Sequence, residues 1–292
     1  MSRKHLLVSA FLLLLAIGAG AVYLTVPLCH DLACARRYDG WFAQKFDASP
    51  PLYLTAMDKS ALLKNTHVPG VEERLDAILA YAPQNGRIGV MAASCAVVGN
   101  SSNLRGSHYG HLIDQHAYVF RMNKAPTKGY ADDVGTRTTF HVLHPWVPLE
   151  EQYDKRTIHL VVSLGAINSN QTALQQLEDM YLGASPDYSR LRIINLDFIR
   201  YVNQVWFAPN VKPGEDKVPS IGFNTVIIAL HMCQKVDLFG FSAPNNRGIW
   251  EHYFEKRDIP VPMHHHPDFQ QRFLENMARR GIITLYSGNP HS

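Results

Sequence analysis

Between residues 87 and 286, short apolar, β-branched runs alternate with stretches of helical period, and this alternation constrains the fold more than any other feature of the chain. The pattern predicts strands at 87–91, 95–99, 118–122, 138–143, 158–163, 191–196, 236–241 and 282–286. It predicts helices at 72–81, 108–114, 172–182, 221–232 and 269–280. Strands interleaved with helices imply βαβ units, hence an α/β fold with one mainly parallel sheet covered on both faces. Sheets of this kind bind ligands beyond the carboxyl ends of their strands. At 292 residues the chain suits one sizeable domain with an appendage.

The appendage is at the start. Residues 6–28 carry no charge and follow Arg3, Lys4 and His5. A run of that length can cross an apolar bilayer core of about 30 Å as a helix. Basic residues before it and Asp31 after it predict a cytosolic tail at 1–5, a transmembrane signal-anchor at 6–28, a stem at 29–70 and a lumenal domain at 71–292. A cleaved signal peptide shares the basic start and the small residues around Gly18. The stem holds turn signals and apolar islands around Trp41, Phe42 and Phe46, which can form short elements docked on the domain.

A net charge of +3 lacks the concentrated basic face of a nucleic-acid binder and is compatible with an anionic small substrate. Four cysteines, Cys29, Cys34, Cys95 and Cys233, leave three complete pairings open, and none of them forms a C-x-x-C pair. The dinucleotide fingerprint G-x-G-x-x-G is missing, and so is the Asp-x-Asp pair that holds a diphosphate-bound metal. No cofactor and no metal is implied.

Three places can carry chemistry. Strand 95–99 runs into the turn Gly99-Asn100-Ser101-Ser102-Asn103, which can present Asn100, Ser101 and Asn103 to a polar ligand or be a plain turn. Ser220 is a natural N-cap for helix 221–232, whose first amides can bind a phosphate. The histidines of 250–255 and 264–266 can serve as a general base or as a phosphate partner.

Together these segments resemble the animal sialyltransferases, glycosyltransferase family 29, in all four sialylmotifs and in their order. The long motif is similar to residues 95–145 (CAVVGNSSNLRGSHYG, RMNKAPTKGYADDVG, TRTTFHVLHP) and the short motif to 217–241 (KVPSIGFNTVIIALHMCQKVDLFGF). The third motif resembles HYFE at 252–255 and the very short motif HHPDFQ at 265–270. HYFE and a weaker likeness in the stem bring it nearest to the enzymes that place sialic acid α2,3 on Galβ1,3GalNAc.

The resemblance implies a GT-A-like variant with a single twisted, mainly parallel sheet flanked by helices, acting without metal and with inversion. It implies a Golgi membrane protein of type II topology, CMP-sialic acid as donor, and galactose-terminated glycoproteins or glycolipids as acceptors. Asn100, Asn103 and Asn123 would hold the CMP moiety, Ser220, Ile221 and Gly222 would face the nucleotide, and Trp250 and Tyr201 would flank the pocket. His252 would donate to the departing phosphate and His265 would take the acceptor's proton, with His264 and His266 as neighbours that register must exclude. Cys95 and Cys233 match the family's disulfide.

Four departures from the family pattern bear on activity. Ser102 stands for a glycine, Ile221 for a threonine and Gln270 for an acid, while Ala93 and Ser94 occupy the place of a cysteine. Loss of the acid removes a charge that could orient the base, so a weak or inactive sialyltransferase-like binding protein is the alternative, beside an α2,6-GalNAc sialyltransferase. Asn170-Gln171-Thr172 is a glycosylation sequon expected to be used. Asn100-Ser101-Ser102 is also a sequon but is expected to stay bare in the pocket.

Overall fold

The computed structural model describes residues 11–17, 20–26, 40–64, 68–87, 90–147, 154–179, 187–210, 218–241, 249–250, 252–255, 259–260 and 265–288. Its centre is a seven-stranded sheet in the order β11-β8-β3-β4-β5-β6-β7, with every neighbouring pair parallel. The strands are β3 Ala92–Val98, β4 Tyr118–Met122, β5 Phe140–Leu143, β6 Ile158–Val161, β7 Leu191–Ile193, β8 Cys233–Phe239 and β11 Thr284–Tyr286. From Cys95 onward β3 is buried on both faces, which is why it reads as a continuous apolar run rather than an alternation.

Helices cover the sheet, and α1 to α7 are, in order, Gly40–Asp47, Lys59–Leu63, Val71–Leu79, Gly110–Asp114, Ala131–Val134, Asn170–Asp179 and Leu196–Tyr201. Two more frame the cleft described below, α8 Ile221–Met232 and α9 Pro267–Arg279. Helix α8 is apolar all round and is buried from Phe223 to Leu230, as a helix sandwiched under the sheet must be. Helix α9 buries one stripe, Phe269, Gln270, Phe273, Leu274 and Met277, and exposes the rest. Between α8 and β8 the chain reverses at Cys233, which is disulfide-bonded to Cys95 on β3 with Cα atoms 5.9 Å apart. Closing a loop of 138 residues restricts the unfolded chain by about 5 kcal/mol on loop entropy alone.

Several boundaries differ from the sequence reading. Of the strand expected at 87–91, the described residues Arg87, Val90 and Met91 are not extended into the sheet; β3, the strand expected at 95–99, begins at Ala92, after Val90, which is 83% exposed. The strand expected at 191–196 ends at Ile193, because Asn195 caps α7 by accepting from the Asp197 amide at 2.9 Å. A π-helical turn, Val202–Phe207, follows α7 and buries Trp206 and Phe207. Of the segment read as stem, α1 buries Phe42 and Phe46 in the main core, and Leu54 donates its amide to Ile193 at 2.9 Å.

Within 6–28, where one spanning helix is expected, the described residues are extended. Phe11–Ile17 and Gly20–Val26 pair as antiparallel strands β1 and β2, with Leu14 opposite Tyr23. Gly20 is a poor helix residue, and the β-branched Val22, Thr25 and Val26 favour an extended chain. Among the described residues no helix is long and apolar enough to cross a membrane.

Candidate active site

At the carboxyl ends of β3 and β8 two glycines bring the backbones together. Gly99 donates its amide to Phe239 O at 2.7 Å, and Ser101 donates to Gly240 O at 3.2 Å. A Cβ on Gly99 would lie 2.2 Å from Gly240 O, and Gly240 has φ +72, so glycine is required at both positions. This pinch splays Asn100 and Ser101 into a cleft that Met122, Ile221, Phe241, His252 and Gln270 also line. The Asn100 Oδ1 atom is buried there with no partner among the described residues, so it can accept a hydrogen bond from a ligand. Ser102 opens a single 3-10 turn, Ser102–Leu104, a conformation that does not call for glycine.

The HYFE segment hangs on this turn by its backbone. His252 forms a β-bridge with Ser101, and Tyr253 donates its amide to Asn100 O at 2.9 Å. The Arg105 guanidinium donates to the carbonyls of His252 at 2.5 Å, Glu255 at 2.8 Å and Tyr253 at 3.1 Å. His252 is thereby fixed at the cleft, with Nδ1 3.3 Å from Glu255 Oε2 and its ring stacked on Phe254. A histidine held beside a carboxylate is suited to carry a proton.

Across the cleft lies the amino end of α8. Ser220 caps it, its Oγ accepting from the Phe223 amide at 3.2 Å, while the amides of Ile221 and Gly222 belong to the first turn, which has no intrahelical acceptors. Such a terminus attracts a phosphate. A side chain at Gly222 would press on the Phe241 ring at 3.3 Å, so the glycine keeps this wall open. The same Ser220 hydroxyl donates to Gln270 Oε1 at 2.5 Å, and Gln270 Nε2 donates to His265 O. His265 Nδ1 in turn lies 3.2 Å from Val218 O. Gln270 therefore ties the helix cap to the histidine loop through one acceptor and one donor, a pairing that a carboxylate cannot make.

On β4 and β5 the edge is held by histidines. Asn123 adopts a left-handed backbone, φ +51, directly after β4. His141 Nε2 donates to Asn123 O at 2.6 Å, which leaves His141 Nδ1 to accept from His159 Nδ1 at 3.1 Å. Burial pushes His141 down to about 3 and His159 to about 4. His144, pushed down to about 4 chiefly by burial, donates its amide to Asn123 Oδ1 at 3.4 Å.

Of the residues singled out from sequence, the structure brings Asn100, Ser101, Ser220, Ile221, Gly222 and His252 to one cleft. His265 stands next to it through Gln270. Asn123 follows the cleft residue Met122. Asn103 is not part of the cleft lining: its Nδ2 donates to Ser287 O at 2.8 Å, while its Oδ1 is buried with no partner among the described residues. Tyr201 is buried in the aromatic core, its hydroxyl donating to Lys45 O at 2.9 Å, and is not brought to the cleft lining. Trp250 belongs to a short strand, Ile249–Trp250, paired with Ile259–Pro260, and its side chain lies outside the described residues, as do Cys29, Cys34 and His264. His266 is the left-handed N-cap of α9, φ 47, with no side-chain cap bond and its ring centroid 5.8 Å from that of Phe269 on the helix. Asn170 opens α6 with its Oδ1 accepting from Arg200. Among the described residues, the one grouping of metal-ligand side chains, His108, Asp132 and Asp133, lies outside the cleft lining, and the Asp133 carboxylate is already occupied by the amides of Gly106 and His108.

Arg105, His141 and His159 were not foreseen. Arg105 and His141 lie within the long-motif segment without an assigned role and His159 lies outside it; a histidine inside a buried β-run was the available signal.

The family model for glycosyltransferase family 29 (sialyltransferase) matches residues 55–282. The Pan troglodytes CMP-N-acetylneuraminate-beta-galactosamide-alpha-2,3-sialyltransferase 1 is 30% identical over 89% of this chain and 82% of its own. A solved mammalian sialyltransferase superposes with a TM-score of 0.64 at 29% identity, over 85% of this chain and 94% of the other. A second solved form, in complex with Gal-beta-1-3GalNAc-ortho-nitrophenol, gives 0.63 at 28% identity over the same shares. With its parallel sheet, its motifs gathered at one cleft and these matches, the chain belongs to glycosyltransferase family 29, the sialyltransferases.

Proposed function

We propose that this protein transfers sialic acid from CMP-sialic acid to the 3-hydroxyl of a terminal galactose in Galβ1,3GalNAc-type glycans. The reading is carried by one observation: Asn100, Ser101, the amino end of α8 and His252 converge on a single cleft, with His265 tethered beside it. The relatives' α2,3-sialyltransferase names and the galactosyl ligand of the solved neighbour support the acceptor class.

The bond to be broken joins the anomeric carbon to the CMP phosphate. Negative charge growing on that phosphate is met by the first-turn amides of Ile221 and Gly222 and by a proton from His252, so a divalent ion is not required. His265 takes the proton of the acceptor hydroxyl as it attacks. A single displacement of this kind inverts the anomeric centre. The neutral Gln270 does the orienting that an acid would do elsewhere, through hydrogen bonds to Ser220 and His265 instead of charge.

A Golgi location of type II topology is part of the proposal. It is supported by the uncharged length of residues 6–28 and the basic residues before it. A glycan on Asn170 fits the lumenal reading.

The test is incubation of the full chain with CMP-sialic acid and a panel of galactose- and GalNAc-terminated acceptors, with linkage assigned by mass spectrometry. An α2,3 product on Galβ1,3GalNAc is expected. CMP binding without turnover, or an α2,6 product on GalNAc, would replace this reading by one of its alternatives.

A further inference from the structure

We propose that Trp146 is the platform on which the galactose ring of the acceptor stacks. The proposal rests on the transferase reading above and extends it to a residue outside the motif matches.

Among the described residues the large exposed apolar side chains are Met57, Tyr81, Val90 and Trp146. Trp146 alone of these follows a sheet strand at its carboxyl end, where this class of fold binds ligands. It is 58% exposed, although Pro145 and Val147 on either side of it are buried.

The indole is also held in place. Residues 144–147 form a turn closed by the Val147 amide donating to His144 O at 3.0 Å, with Pro145 fixing its second position. One face of the indole lies on the His144 imidazole, 4.4 Å between centroids and 16° from parallel. His144 is itself anchored, its Nδ1 lying 3.3 Å from Val162 O and its amide donating to Asn123 Oδ1. Stacking takes up one face and leaves the other to solvent. Such a preset surface loses little freedom when a ligand covers it.

Position along the sheet edge selects the occupant. The nucleotide-facing groups lie at the ends of β8 and β3, Met122 and Asn123 follow β4, and the Trp146 turn follows β5. His265, two residues before α9, is tied through Gln270 to the Ser220 cap. The nucleotide-facing groups thus lie toward β3 and β8 and Trp146 toward β5, with Asn123 Oδ1 joining the two through the His144 amide. A galactose ring has one face of C–H bonds at C3, C4 and C5, which suits the negative π face of an indole. Its 3-hydroxyl is equatorial and projects from the rim, so stacking leaves it free to reach His265.

The test uses the full chain, as wild type, Trp146→Ala and Trp146→Phe. Saturation-transfer NMR with Galβ1,3GalNAc alone should show the galactose H3, H4 and H5 protons in the wild type and lose them in Trp146→Ala. Steady-state rates should show the acceptor KM raised about tenfold in Trp146→Ala, the donor KM within twofold, and most of the loss restored in Trp146→Phe. If Trp146→Ala fails to fold, Trp146→Gln, which suits an exposed turn position, carries the same expectation. An acceptor KM within twofold of wild type, or unchanged galactose saturation, overturns the platform while leaving the transferase reading intact. Galactose saturation that Trp146→Ala abolishes, in a protein that transfers nothing, keeps the platform and overturns the transferase reading.

Discussion

At the β3–β8 end of the sheet the cleft wall is backbone, made by the close approach of Gly99 and Gly240 and by the amides that bind Phe239 O, Gly240 O and Asn100 O. At the β4–β6 end the same edge is held by imidazoles, with His159 donating to His141, His141 to Asn123 O, and His144 lying under Trp146. Backbone contacts do not titrate but tolerate no added atom. Imidazoles tolerate some change of shape but work here in one protonation state. The two halves of one site should therefore fail under different insults.

Acid should produce the largest effect, and on the histidine half. In the unfolded chain these rings take up protons below about pH 6.5. In the folded protein His159 and His144 resist until about 4, and His141 until about 3. The unfolded state binds more protons throughout that window, so stability is fully present above it and falls as pH drops through it. At pH 5 each ring should cost about 2 kcal/mol relative to pH 7. Urea midpoints measured at the two pH values check this, and equal midpoints would erase the contrast between the halves.

Gly99→Ala attacks the other half. The new methyl would overlap the Gly240 carbonyl, and the strand ends would have to part, at about 3 kcal/mol. The loss should be the same at pH 5 and pH 7, as read from denaturant midpoints. A loss that changes with pH would mean that the halves are coupled.

His265→Ala tests the loop that spans both halves. Turnover should drop about 100-fold with CMP affinity nearly unchanged, whereas His252→Ala should weaken donor binding as well. Near-normal turnover in His265→Ala together with its loss in His266→Ala would move the base by one residue.

The smallest effect is expected from Gln270→Glu. Glutamate can still accept from Ser220 but has no N–H for His265 O, so the loop loses its tether. A fall of about fivefold in kcat/KM at neutral pH, partly recovered as the new acid protonates, is the expected profile. Unchanged rates would show that the amide bridge is dispensable.

How much of this was legible varies by element. Strands β3, β4 and β8 and helices α8 and α9 are strongly periodic or wholly apolar, and their existence could be read directly. Helix α7 was hidden because Leu191 to Leu196 looks like one apolar run until Asn195 is seen capping Asp197. The docking of α1 was hidden because eight residues carry too weak a pattern to show which core receives Phe42 and Phe46.

The sequence by itself determined the parallel α/β sheet and the Ser220 cap, since each rests on local propensity or on spacing along the chain. Tertiary structure alone decided that Asn103 and Tyr201 are not part of the cleft lining, that Gln270 joins Ser220 to His265, and that Trp146 stands on a buried histidine. The first three depend on a partner far away in the sequence, such as Ser287 for Asn103 or Lys45 for Tyr201, and the last on Asn123 and Val162, which anchor His144. A side chain's choice among distant partners is settled only when the sheet closes and brings them within hydrogen-bond reach.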